Sequence, residues 1–341
     1  MTTVIGWDLG GANIKLACLD AGRVTLVAQV PCPIKQDPTK FDLSVGEALA
    51  LVSSPALHAV TMTGELSDVF ADRKEGVAYL VGLMQKATAG QRLLIYGGRA
   101  GFLDPEEAAR RILDVASANW HASALFVARY CGEGLLVDVG TTTTDLVPFR
   151  SGMPAAKAYT DGERLTEGEL IYAGVVRTPV MAIAQDAPFQ GRTQRIAGER
   201  FATMADVFRL TGDLPPDADP YLTADQRGKS AGESAARLAR MLGRDASEAP
   251  LSAWADLARF FAERQLASLE EAARTLCMRE RVDPEAPVIG AGCGRFLAKR
   301  LAQALARPYR DFAELIDAAP EVREMAARCA PAVAVALLAA E

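Results

Sequence analysis

Val4-Ile5-Gly6-Trp7-Asp8-Leu9-Gly10-Gly11-Ala12-Asn13-Ile14-Lys15-Leu16-Ala17 holds an apolar run ending in an Asp, a Gly-Gly turn, and a second strand-like run that carries a Lys. Such a turn lets backbone N–H groups approach a phosphate. Glycine has no side chain in the way and adopts backbone angles that other residues avoid. An Asp at the strand end is placed to hold Mg²⁺, directly or through water. The same pattern also suits a purely structural hairpin. A second copy shifts the balance. Gly134-Leu135-Leu136-Val137-Asp138-Val139-Gly140-Thr141-Thr142-Thr143-Thr144-Asp145-Leu146-Val147 repeats the plan, and Asp138 follows Asp8 by 130 residues. The duplication points to two similar domains facing each other across a cleft, with boundaries at 1–131 and 132–341.

Working outward, strands are expected at 3–9, 12–20, 23–30, 56–62 and 92–96, and again at 134–140, 143–149, 154–159 and 287–291. Helices are expected over Phe41–Ser53, Arg73–Ala87, Pro105–Ala118, Lys229–Leu242, Leu251–Arg279, Arg295–Leu305 and Ala319–Ala340. Asp104 precedes Pro105, a cap followed by a first-turn proline. Strand triplets followed by alternating helices and strands make a mixed α/β chain. An inserted segment falls at about 160–280. Within it, 186–228 is rich in Pro, Asp, Gly and Arg and reads as an extended insertion with little core of its own. The stretch 160–228 is expected to supply the acceptor side of the site as a partly mobile lid.

The chain has 341 residues, half of them hydrophobic, enough for two domains with a large core. A net charge of −6 without a basic run argues against nucleic acid as the main partner. The six cysteines form no CxxC pair and read as buried free thiols of a reducing, cytoplasmic setting. The chain enters a strand at once, so no signal peptide is expected, and no apolar run reaches membrane-spanning length.

The chemistry-bearing residues cluster at strand ends. Asp8 and Asp138 are candidate Mg²⁺ ligands or, alternatively, carboxylates that cap turns. Gly10, Gly11, Asn13 and Lys15 form the phosphate side of the first hairpin; Gly140, Thr141, Thr142 and Thr143 form that of the second. Consecutive threonines also suit a strand by propensity alone, and Lys15 also suits an exposed strand. Asp145 interrupts an otherwise apolar strand. Thr63-Gly64-Glu65-Leu66-Ser67-Asp68 lies just past a buried strand, where ligands of open α/β sheets gather. There Glu65 or Asp68 serves as general base, or Ser67 or Asp68 caps a helix. Glu169, Tyr172, Arg177 and Thr178 either line an acceptor pocket or form a surface loop with satisfied charges. His58 reads as a core residue, and neither it nor His121 is assigned to catalysis.

The paired hairpins resemble the first and second phosphate loops of the actin, sugar kinase and Hsp70 superfamily. Val288-Ile289-Gly290-Ala291-Gly292-Cys293-Gly294 resembles its third, adenosine-side loop, adding Gly292 to the phosphate set. The fold this implies is α/β, with two actin-like (ribonuclease H-like) domains and a central cleft. Four stretches resemble one smaller family within it. They are Gly6–Lys15, Thr61-Met62-Thr63-Gly64-Glu65-Leu66-Ser67-Asp68, Asp138–Asp145, and Gly168-Glu169-Leu170-Ile171-Tyr172-Ala173-Gly174-Val175-Val176-Arg177-Thr178-Pro179. That family is the hydantoinase/oxoprolinase-like proteins of tetrahydromethanopterin-linked one-carbon metabolism, which build the furan ether of methanofuran and methylofuran.

The resemblance implies a transferase. It joins an aminomethyl-furan-methyl diphosphate to the phenol oxygen of a tyramine- or tyrosine-type acceptor and releases diphosphate. Mg²⁺ on Asp8 and Asp138 would neutralise the leaving group, and Glu65, Asp68 and Asp145 are the candidate bases. Two other readings stand beside it. One is an ATP-dependent kinase or amide-activating enzyme of the same fold; Cys293 in the third loop leaves a pocket for ATP or ADP open. The other is a non-catalytic nucleotide-binding switch.

Overall fold

A computed structural model describes residues 3–32, 37–52 and 56–341. They divide into two compact units. The first runs to Gly134 and includes Val147–Arg164 and Arg310–Glu341; the second comprises Leu135–Leu146 and Leu165–Tyr309.

The first unit is built on β1 (Thr3–Leu9), β2 (Asn13–Asp20), β3 (Arg23–Pro31), β4 (Ala56–Met62), β5 (Arg92–Tyr96) and β6 (Phe102–Leu103). They lie in the order β3-β2-β1-β4-β5-β6. β1 pairs antiparallel with β2 across the Gly10-Gly11 turn and parallel with β4. β1 and β4 are buried along nearly their whole length, which is why both read as near-continuous apolar runs. Phe41, Val45, Leu80 and Met84, from the helices Thr39–Leu49 and Arg73–Ala87, pack into a core with Trp7 and Val60.

The C-terminal helix Ala330–Ala340 packs on β1. A Cβ at Gly6 would lie 2.0 Å from the Ala332 carbonyl oxygen and 2.8 Å from the Ala336 Cβ. This explains both the glycine inside a strand and the small residues of the helix. It also corrects the expected boundary at residue 132, because the chain's last stretch completes the first unit. Gly6→Val is expected to lower stability by about 3 kcal/mol or more, since the obstacle is backbone rather than a movable side chain. Chemical denaturation with an unchanged m-value would measure it; wild-type stability would show that the helix can shift.

Two local expectations change. The helix expected to reach Ser53 ends at Leu49, and Ser53 itself lies outside the described residues. The helix expected over Pro105–Ala118 breaks into Pro105–Ala108 and Ile112–Val115, and a new helix runs over Asn119–Cys131. Asp104 does cap the first piece, accepting from the Glu107 N–H at 2.7 Å. Between the pieces Ser117 takes a left-handed φ of 53°, an uncommon state for a serine.

The remaining strands are β7 (Gly134–Val139), β8 (Thr144–Arg150), β9 (Met153–Pro154), β10 (Leu170–Ile171), β11 (Asp186–Phe189), β12 (Arg192–Arg195), β13 (Val288–Ala291) and β14 (Tyr309–Asp311). The second sheet runs β10-β8-β7-β13-β14, with β9 paired to β8. The strand expected over 154–159 shrinks to Met153–Pro154, and β10 lies antiparallel beside the start of β8. The stretch 186–228 is not a coreless insertion. It contains the β11–β12 hairpin and the helix Met204–Thr211. Phe189 stacks on Trp254 with ring centres 4.5 Å apart, and Phe208 meets Phe296 edge-on at 5.1 Å. Met204, Ala205, Val207 and Phe208 form the buried face of that helix. The charge of buried Asp206 is met by buried Arg237, whose Nε and Nη2 donate to Oδ1 at 2.9 and 2.8 Å.

Candidate active site

In the first unit Asp8 stands near the C-terminal end of β1 and is 1% exposed. Lys15 is its register partner on β2, and Lys15 Nζ donates to Asp8 Oδ2 at 3.0 Å. The lysine is therefore neither an exposed strand residue nor a charge held only for phosphate. Asp8 Oδ1 is buried and has no hydrogen-bond partner among the described residues. Thr61, opposite Asp8 on parallel β4, carries another such oxygen, its Oγ1. Two orphaned hard oxygens on adjacent strands suit a Mg²⁺ or its water shell. No group of three or more His, Cys, Asp or Glu capable of holding a metal occurs among the described residues. A Mg²⁺ shared with substrate phosphates needs only one or two carboxylates.

Both hairpins close in the same way. The Gly10 N–H donates to the Asn13 carbonyl at 3.1 Å, and the Gly140 N–H to the Thr143 carbonyl at 2.8 Å. The first glycine of each loop thus spends its N–H inside the turn rather than on a phosphate. Asn13 is buried and Gly11 half-buried, next to each other but for Ala12.

Just past β4, the Thr63 N–H donates to the Leu9 carbonyl at 3.0 Å, bringing the Glu65 turn beside the first hairpin. Glu65 is 1% exposed. Its Oε1 accepts from the Ser117 N–H at 2.9 Å and the Ser117 hydroxyl at 3.1 Å; its Oε2 has no partner among the described residues. The same hydroxyl lies 3.1 Å from Asp161 Oδ2, and Asp161 faces Arg73 at 3.7 Å. One hydroxyl hydrogen cannot serve two ionised carboxylates at once, so the array favours an extra proton. Burial above all, opposed by the Ser117 hydrogen bonds and reinforced by the negative Asp161, pushes the Glu65 carboxyl up to about 7. The helix Arg73–Ala87 comes close enough to hold the turn because residue 76 is glycine, where a Cβ would sit 2.5 Å from the Glu65 carbonyl oxygen.

Asp68 is exposed. Neither it nor Ser67 caps the next helix; Asp72 does, accepting from the Glu75 N–H at 2.9 Å. His58 is buried, accepts from Trp7 Nε1 at 3.1 Å and faces Gln91 Oε1 at 3.2 Å. His121 is buried against the Tyr96 hydroxyl at 2.8 Å, and burial lowers it to about 4.

In the second unit β7 and β13 run parallel with Asp138 opposite Ala291. Gly292 has φ 83°, and a Cβ there would lie 2.3 Å from the Val139 carbonyl oxygen and 2.4 Å from Asp138 Oδ1. The third glycine loop therefore packs directly on the end of the second hairpin. On the other side, the Val176 and Arg177 N–H groups donate to the Thr141 carbonyl at 3.1 and 2.8 Å. Gly174 permits this approach, since a Cβ would meet the Thr142 nitrogen at 2.4 Å. Thr141, Thr142 and Thr143 are half-buried around this junction, and Asp145 is half-buried on β8 opposite Leu170.

The acceptor set separates. Glu169 is fully buried and takes Arg279 Nη2 on its Oε1 at 2.7 Å. A charge met inside the protein is a structural ion pair, which corrects its placement in an acceptor pocket. Thr178 is buried and accepts from the Gly174 N–H at 2.9 Å. Tyr172 and Arg177 are exposed.

Sequence reading missed Ser117, Asp161 and Arg73. Asp161 lies in the segment read as an insertion at about 160–280, and nothing local links it to Glu65, which lies far away along the chain. The six cysteines are all free thiols. No helix among the described residues is long and apolar enough to cross a membrane.

The hydantoinase/oxoprolinase family model matches residues 56–339. A (4-{4-[2-(gamma-L-glutamylamino)ethyl]phenoxymethyl}furan-2-yl)methanamine synthase of Methanocaldococcus jannaschii is 31% identical over 243 residues, covering 71% of this chain and 72% of that protein. A synthase of the same name from Methanococcus vannielii is 40% identical over 73 residues, 21% of this chain and 32% of its own length. Among solved structures, a nucleotide-free acetone carboxylase superposes with TM-score 0.59 at 9% identity, covering 98% of this chain and 70% of that one. At that identity the likeness concerns the fold alone, which is the α/β, actin-like one.

Proposed function

The chain belongs to the hydantoinase/oxoprolinase family, and we propose that it forms the aryl ether of a methanofuran- or methylofuran-type cofactor. It joins an aminomethyl-furan-methyl diphosphate to the phenol oxygen of a tyramine- or tyrosine-type acceptor and releases diphosphate. The observation that carries this reading is the match to a synthase named for a phenoxymethyl-furan amine.

The bond between the furanylmethyl carbon and the diphosphate oxygen breaks, and its electron pair leaves with the diphosphate. The furan oxygen shares the positive charge that develops on the exocyclic carbon. The phenol oxygen bonds to that carbon, and its proton passes to Glu65. A phenol has a reference pKa of about 10, so an ordinary carboxylate takes its proton poorly. Glu65, raised to about 7, is better matched, and its unpartnered Oε2 is the atom that receives the proton. Ser117 orients the carboxylate through Oε1, and Asp161 keeps the proton inside the array. Exposed Asp68 and half-buried Asp145 lack this environment.

Lys15, the Gly11–Asn13 turn and Thr141–Thr143 bind the diphosphate oxygens in this reading. Asp8 and Asp138 are the carboxylates proposed for Mg²⁺, and a bound Mg²⁺ supplies charge neutralisation to the departing diphosphate. The test supplies the furanylmethyl diphosphate and a tyramine-type phenol with Mg²⁺. Ether by mass spectrometry and diphosphate in equal amount are expected, without ATP. Ether formation that requires ATP, or ADP formed without ether, would overturn it.

A further inference from the structure

A proton taken by Glu65 has no way out on the side where it arrives. Glu65 is 1% exposed, and its Oε2 is buried with no hydrogen-bond partner among the described residues. Its other oxygen leads outward. Oε1 accepts from the Ser117 hydroxyl at 3.1 Å, and the same hydroxyl lies 3.1 Å from Asp161 Oδ2. Arg73 Nη2 stands 3.7 Å from that Oδ2, and here the array meets water: the Asp161 and Arg73 side chains are 14% and 35% exposed. Exposure thus rises step by step from Glu65 to Arg73. All of these residues belong to the first unit. Ser117 holds its place between the two carboxyls in a left-handed backbone state, φ 53°, which costs energy for a serine. A hydroxyl accepts and donates at once, so an oxygen set between an enclosed carboxyl and a wetted one can pass a proton along.

Resting on the reaction proposed above, in which Glu65 takes the phenol proton, we propose that Ser117 and Asp161 form the route by which that proton leaves for solvent. Both act through Glu65. The last bond of a Glu side chain is a soft, two-fold torsion, so a half-turn of the acid brings its protonated oxygen to Ser117. The acid then gives its proton to Ser117 Oγ while the Ser117 hydroxyl hydrogen passes to Asp161 Oδ2. Asp161 releases it to water, and the hydrogen that Ser117 received already points at Glu65. One proton moves from Glu65 to solvent, and both carboxyls end ionised. Asp161 thus holds the proton in the array only until water takes it.

The test needs no substrate. Carboxyl-carbon NMR of the full-length protein, labelled at its glutamate carboxyls, measures how fast Glu65 exchanges its proton with solvent at the pH where it titrates, with Glu65→Gln identifying the signal. Ser117→Ala removes the hydroxyl but keeps the backbone N–H on Oε1. Asp161→Ala removes the exit. In each, the exchange rate is expected to fall about a hundredfold, the lower end of what a positioned proton-transfer group contributes. Formate fits the place of the missing carboxylate beside Arg73 and restores part of the rate in Asp161→Ala; formamide does not. A purely electrostatic role for Asp161 predicts the opposite sign, because losing a negative neighbour makes Glu65 a stronger acid that sheds its proton faster. An exchange rate unchanged or raised in either variant, or no response to formate, overturns the route. If Asp161→Ala does not fold, Ser117→Ala and Asp161→Asn decide by the same fall in rate. Turnover is followed in parallel. Slowed exchange in the variants with no ether from the wild type upholds the route and refutes the reaction; ether from the wild type with unchanged exchange does the reverse.

Discussion

Glu65→Gln is expected to lower turnover by about two to four orders of magnitude, the usual range for a positioned general base. Glutamine keeps the shape and can still accept both Ser117 hydrogen bonds, but it cannot take a proton. In the wild type, kcat/KM should rise about tenfold per pH unit at acid pH and level off above pH 7, as Glu65 loses its proton at about 7. In the variant that limb should vanish. Stability gives a second readout. The folded protein holds the Glu65 proton up to about 7, whereas the unfolded chain releases it near the ordinary value of 4.5. Between those pH values the folded state binds more protons, so wild-type stability falls as pH rises through the window. The full loss is on the order of 3 kcal/mol by linkage. Glu65→Gln should lack this slope, so its stability relative to wild type improves from pH 5 to 8. A variant that turns over normally, or a wild-type rate without an ionisation near 7, would remove Glu65 from catalysis.

Asp8→Asn should leave a folded protein with at least about a hundredfold less turnover, roughly 3 kcal/mol at the transition state. The amide preserves size and one carbonyl oxygen while removing the charge that attracts a cation. Its effect on Lys15 discriminates between roles. With the charge gone, the Lys15 ammonium faces a neutral amide where it had a carboxylate at 3.0 Å, so less of its positive charge is offset there. Diphosphate binding without Mg²⁺ should therefore strengthen, while the added thermal stabilisation from Mg²⁺ with diphosphate should shrink. Higher Mg²⁺ should recover part of the turnover. Asp138→Asn is expected to show the same loss of turnover. If Asp8→Asn retains both turnover and the Mg²⁺-dependent shift, Asp8 serves only to hold Lys15 and the metal assignment falls.

The candidate site was legible where chemistry and local pattern coincide. Asp8, Asp138 and the glycine turns announce themselves because a strand end followed by Gly is a local event, repeated. Glu65 stood out for the same reason, just past a buried strand. Its partners did not. Ser117 reaches it only because an expected helix breaks and the serine takes φ 53°. Asp161 arrives from a stretch that returns to the first unit after the chain has entered the second. Glu169 misled in the opposite sense: a lone acid in a motif looks functional until the long helix brings Arg279 to it at 2.7 Å.

By itself the sequence determined the α/β class, the duplicated strand–Asp–Gly hairpins and the family, since all three rest on short-range order along the chain. Only the tertiary structure decided which charges are already spent. It matched Lys15 with Asp8, Arg279 with Glu169 and Arg209 with Asp219. It also decided that the Glu65 carboxyl is pushed up to about 7 rather than left at its ordinary value, because burial is set by segments folded over it from distant parts of the chain. The electrostatic free energy of a group depends on the charges and water around it, and neither can be read from the residues beside it in sequence.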